Sequence, residues 1–174
     1  MTEDAPPQDV ETVARLLRRA LAVSDASLVV HRRGVLVEFK TDLLLEDLST
    51  WEEDGYRSWQ VGAFDDHHCH LALDAIVEVH LDAEPVSCQG GRINFTVWFL
   101  CEHDCGNPYR PRGLFSVTLN RPYEADGSPR REILAQLAGL YEDERHCPIL
   151  TASPGFTDAL SALMQTPLIP APAF

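Results

Sequence analysis

At 174 residues, 45% apolar and 24% charged, the chain is expected to fold as one globular domain spanning 1–174, long enough to bury a proper core. Its 27 acidic residues against 14 basic ones give a formal charge of −13, and Lys40 is the only lysine. Nucleic acid and anionic membrane surfaces both select clustered Lys and Arg, so neither is expected as a partner.

The opening "MTEDAPPQDV" carries no basic n-region and no apolar h-region, so no secretory signal is expected there. No apolar stretch approaches the ~18 residues of a membrane span, and the expected location is the cytoplasm. Five cysteines, an odd number, make a disulfide framework improbable in that compartment.

Residues 1–8 read as a frayed acidic lead-in. "DVETVARLLRRALAV" places Val10, Val13, Leu16, Leu17 and Ala20 near helical spacing, which predicts a helix over 9–22 with Asp9 as its cap. In "SLVVHRRGVLVEFK" two β-rich runs flank Arg32-Arg33-Gly34, the pattern of a hairpin. The stretch 41–58 is ambiguous, with Leu43, Leu44 and Leu48 compatible with a short covering helix. "WQVGAF" reads as a strand, and another begins in the histidine-rich run after it. "AIVEVHLDAEP" alternates, with Val77, Val79 and Leu81 on one face and Glu78, His80 and Asp82 on the other. "RINFTVWFLCEH" points Phe95, Val97, Phe99 and Cys101 one way. "CGNPYRPRG" is a loop, "LFSVTL" a strand, and "SPRREILAQLAGLYEDE" a helix capped by Ser128 with Pro129 at its first position. Residues 166–174 form a proline-rich tail. The expected fold is α+β: an antiparallel β-sheet of about six to eight strands with an N-terminal and a C-terminal helix packed on it.

Chemistry concentrates in "FDDHHCHLAL" and in "CEHDC". On a strand, His68 and His70 share one face while His67 and Cys69 take the other, so only half of the first cluster can converge on one ligand. His68 and His70 with Cys101 and Cys105 would complete a four-ligand metal set if their strands were neighbours. The plain alternative is that both clusters are polar residues at a strand entrance and a loop rim. No nucleophile elbow, P-loop or dinucleotide fingerprint occurs, and the sequence reveals no reaction, so whether the protein is an enzyme stays open. Cys147 reads as a surface thiol, and Glu142, Asp143 and Glu144 as a solvated helix end.

The hairpin "SLVVHRRGVLVEFK", the pattern "CHLALDAIVEVHLDAEP" and the link and helix "NRPYEADGSPRREILAQLAGL" together resemble the haem iron utilisation proteins, the HemS/ChuX-like group, over roughly 28–140. The segment "CEHDCGNPYRPRG" is an addition to that pattern. The resemblance implies an antiparallel-sheet domain acting as a fused pair or a homodimer, and it implies haem binding. By position, His70 falls on the family's strand histidine and His31 lies on its hairpin.

Two functions from different classes follow. One is a haem- or metal-binding protein with His67, His68 and His70 as axial candidates and Arg110 and Arg112 as propionate partners; haem is the expected cofactor, with zinc or none as alternatives. The other is a non-enzymatic acidic α+β dimer that acts as a protein-interaction module, as chaperones and adaptors do. A homodimer is expected under either reading.

Overall fold

The computed structural model describes residues 10–32, 35–40, 48–53, 56–62, 68–86 and 92–165. In chain order these form α1 (Val10–Leu21), β1 (Ala26–Arg32), β2 (Val35–Lys40), β3 (Leu48–Glu53), β4 (Tyr56–Gly62), β5 (His68–Leu71), a 3-10 turn (Leu73–Ala75), β6 (Ile76–Val86), β7 (Arg92–Cys101), β8 (Gly113–Leu119), α2 (Arg131–Glu144), β9 (Leu150–Ala152) and α3 (Pro154–Met164). Six strands make one sheet in the order β2-β1-β8-β7-β6-β9, and three make another, β3-β4-β5. The α+β, mostly antiparallel architecture is the one expected from the sequence. It differs in having two sheets, a third helix, and one parallel pair, β6 with β9. The parallel pair arises because the chain crosses over through α2 before it rejoins the sheet edge.

Alternation fixes which face of the large sheet is buried. Val79 faces Phe99, Leu81 faces Val97, and Ala83 faces Phe95 across β6 and β7. Val79, Leu81, Phe95, Val97 and Phe99 are at most 1% exposed. Val77, expected with them, is only half-buried. The β6–β7 register slips between Ile76 and Glu78, and this bulge gives the core position to Ile76. Phe115 stacks on Phe99 with ring centroids 4.5 Å apart.

The helices close this face. Leu16 and Leu17 of α1, Leu134, Leu137 and Tyr141 of α2, and Phe156 and Leu160 of α3 join one continuous core. Phe156 meets Phe95 edge-on at 6.0 Å. Arg15 and Arg19 of α1 both hold Glu144 of α2, which is 6% exposed, so this is a buried ion-paired group and not a solvated helix end. Cys147 is likewise buried, contrary to its reading as a surface thiol.

α2 starts at Arg131, later than the expected cap at Ser128, because Ser128 is committed elsewhere. Its amide and hydroxyl both bond the Asp126 carboxylate, and Pro129 bridges to Tyr123. α3 does begin on a good cap: Ser153 Oγ accepts from the Phe156 amide at 3.1 Å, with Pro154 in the first turn. Arg32 and Val35 face each other as a hairpin requires, while Arg33 and Gly34 lie outside the described residues, as do Asp9, Leu43 and Leu44. Leu48 opens a strand, not a helix.

Candidate functional site

The β4–β5 register sets His68 against Gly62, Cys69 against Val61, His70 against Gln60 and Leu71 against Trp59. Partners across an antiparallel pair share a face. His68 and His70 therefore stand with Ser58, Gln60 and Gly62, while Cys69 and Leu71 turn toward the core with Trp59 and Val61. The two imidazoles lie 5.4 Å apart, centroid to centroid, at 67°. Ser58, 1% exposed, places its Oγ 3.0 Å from His70 Nδ1. A fixed Nδ1 partner orients the ring. Burial pushes the Cys69 thiol up to about 11, so it stays protonated at neutral pH and is a poor ligand.

His70 is exposed and His68 half-buried, although His70 stands next to the apolar run that begins at Leu71. The strand ends at Leu71, and it is Leu71, not His70, that enters the core. His67, with Asp65 and Asp66, lies outside the described residues.

The expected four-ligand metal set does not assemble. His68 and His70 belong to the three-stranded sheet, whereas Cys101 ends β7 in the other sheet and, contrary to the expectation drawn from the odd cysteine count, is joined to Cys105 by a disulfide. Sulfurs bonded to each other are not offered as thiolates. Among the described residues, no group of three or more His, Cys, Asp and Glu gathers around a point that could hold a metal.

The arginines expected to meet propionates are engaged. Arg110 Nη1 lies 2.7 Å from Asp82 Oδ2, and its guanidinium sits 5.8 Å over the Trp98 ring. Arg112 donates through Nε to the Cys101 carbonyl at 2.8 Å and lies 3.4 Å from Glu78. Both pin the 102–112 loop onto the solvent-side face of β6. Asn107, 3% exposed, organises the same loop by donating to the Gly113 carbonyl and accepting from the Tyr109 and Arg110 amides. Tyr109 projects from this loop and packs on His31 at 4.6 Å, so the hairpin histidine belongs to the large sheet and is covered by the loop.

One histidine passed over by the sequence reading is set in a relay. Thr151 Oγ1 donates to Glu78 Oε1 at 2.8 Å and lies 2.7 Å from His80 Nδ1. With its proton given to Glu78, the threonine oxygen accepts from Nδ1–H, which fixes the neutral tautomer of His80. Burial, then the Arg110 charge, lowers the His80 pKa against the opposing pull of Asp82 and Glu78. Glu78, His80 and Asp82 were legible as a polar strand face; Thr151, contributed by β9, was not.

No protein-family model and no curated protein matches the chain. Solved structures do. The haem-binding protein ChuX aligns over 82% of this chain and 76% of its own, at 12% identity and a TM-score of 0.52. A structural-genomics protein from Agrobacterium tumefaciens aligns over 75% and 66% respectively, at 13% identity and a TM-score of 0.51. Another, from Erwinia carotovora, aligns over 76% and 72%, at 12% identity and a TM-score of 0.50. At such identities the likeness is one of fold. Among the described residues no helix is long and apolar enough to cross a membrane. The chain shares its fold with the haem-binding protein ChuX.

Proposed function

We propose that the chain binds haem through the His68/His70 face of β5. The observation that carries this reading is the oriented imidazole pair, His70 held at Nδ1 by the buried Ser58, on a fold shared with a haem-binding protein. Imidazole Nε2 is the usual protein ligand to haem iron, and the hydrogen bond at the other nitrogen sets its basicity and direction. Haem is favoured over zinc because a closed zinc site needs about four ligands, and the two cysteines that would supplement the pair lie off that sheet, Cys101 at the end of β7 and Cys105 in the loop after it. Bound haem would bring redox and ligand-binding iron chemistry; His68 or His70 would hold the iron through an imidazole nitrogen. Titrating the purified protein with haemin should give a Soret band that saturates stoichiometrically, with metal analysis finding no tightly held zinc. A titration indistinguishable from haemin in buffer would refute the reading.

A second reading, self-association or protein partnering, is favoured by one feature. β2 is an edge strand that leaves Val35, Leu36 and Val37 exposed at 57%, 58% and 38%. An unpaired apolar edge is a template for another strand. A homodimer through β2 is compatible with haem binding and would bury these side chains.

A further inference from the structure

Away from β5, a cavity of about 390 Å³ lies where the start of β7 meets the link between β8 and α2. That volume falls in the range of roughly 300–1,000 Å³ typical of small-molecule sites. In a chain of charge −13, three arginines line it: Arg92, Arg121 and Arg130, with Tyr123, Asn120 and Glu124.

The three are not equivalent. Arg130 is consumed by ion pairs with Asp25, Glu124 and Glu132, and serves as a buttress. Arg92 and Arg121 form no ion pair with any described carboxylate, and the nearby Asp25 is already held by Arg130. Arg92 instead lies over the Tyr123 ring at 5.5 Å. Tyr123 is itself fixed, its hydroxyl accepting from the Ile93 amide at 2.9 Å. A guanidinium that lies over an aromatic ring does not spend its N–H donors on a carboxylate there, so they can serve bidentate anion recognition.

The frame around these donors is built in advance. The Arg130 amide donates to the Pro122 carbonyl at 2.9 Å, and the Glu124 amide to the Ser128 carbonyl at 2.8 Å. Gly127, at a φ of 88°, completes the turn in a backbone conformation that favours glycine.

We infer that this cleft binds a small phosphate-bearing molecule. Two guanidinium forks that make no direct ion pair among the described residues match the several oxygens of a phosphate better than the two of a carboxylate. The acidic body of the protein repels extended polyanions, which restricts the ligand to a compact one.

The test uses the full chain and inorganic phosphate, followed by calorimetry and by phosphorus NMR line broadening, with acetate and chloride at matched ionic strength. Phosphate should bind saturably, acetate more weakly, and chloride not at all. The exposed double substitution Arg92→Ala with Arg121→Ala should weaken phosphate by about tenfold or more. Arg92→Lys with Arg121→Lys keeps the charge without the forks and should fall between. Haemin binding should be unchanged in both, which separates this site from the histidine face. Phosphate that binds no better than chloride, acetate that binds as tightly as phosphate, or an alanine pair that binds phosphate like the parent would overturn the inference.

Discussion

The Ser58 hydroxyl lies 3.0 Å from Nδ1 of His70, and Ser58 itself is sealed from solvent at 1% exposure. A buried hydroxyl against an exposed imidazole fixes the ring's direction from below. Ser58→Ala removes that guide without opening a large cavity, and His70 can turn to water. Haemin affinity should therefore fall roughly tenfold, the usual cost of losing an outer-shell partner. The thermal midpoint should stay close to the parent's. Unchanged affinity would show that Ser58 does not orient the ligand.

Phe99 is fully buried and stacked on Phe115 at 4.5 Å, at the centre of the large sheet. Phe99→Ala should cost about 3–5 kcal/mol, read as a drop in the urea midpoint at constant slope. A cost near zero would contradict the β6–β7 register.

The 102–112 loop depends on Asn107, which bonds the Gly113 carbonyl at 3.2 Å and the Tyr109 and Arg110 amides at 3.0 and 3.2 Å. Asn107→Ala leaves these groups without their partner and should cost about 1–3 kcal/mol. Hydrogen exchange should quicken at Tyr109 and Arg110 before it changes in β7. Protection that persists at both amides would show that other contacts hold the loop.

Acid should act on His80. Its pKa is lowered by folding, chiefly through burial, so below the ordinary histidine value of about 6.5 the unfolded chain binds the proton more readily. Stability is therefore intact above that value and declines as the pH falls from it toward the lowered folded pKa. Asp25 and Asp82, both lowered, act in a separate and more acidic window: their contribution is present above about 3.9 and is lost only as the pH falls through their folded values. Between about pH 7.5 and about pH 5.5 the parent's urea midpoint should fall, and His80→Gln should flatten that fall. An equal fall in both proteins would mean that His80 is not the group responsible.

Much of the fold was legible because half-buried strands alternate. The runs at 77–82 and 93–101 have only one register that buries Phe95, Val97 and Phe99 together. Val77 escaped that logic because a bulge is a local backbone event that no side-chain pattern announces. α3 carried signals, Ser153-Pro154 followed by Phe156 and Leu160 one turn apart, yet no helix was expected there. At the site, alternation alone was enough to part His68 and His70 from Cys69. The fate of Arg110 and Arg112 was not readable, since it rests on the loop folding back on Asp82 and Glu78 of an earlier strand. His80 was hidden for the same reason: its hydroxyl partner comes from β9.

Self-association should be carried by β2. Leu36→Asp places a charge on the exposed edge and should convert a dimer to a monomer in light scattering, with little effect on folding. A parent protein that is monomeric at micromolar concentration, or a variant that stays dimeric, would rule out this edge as the interface.

The histidine face itself is tested most directly by haemin titration of three proteins side by side, followed at the Soret band. The parent should bind. Cys69→Ser should bind nearly as well, because Cys69 turns to the core and its thiol stays protonated. His68→Ala with His70→Ala should lose binding altogether. A double variant that binds haemin as the parent does would reduce His68 and His70 to polar residues on an ordinary strand.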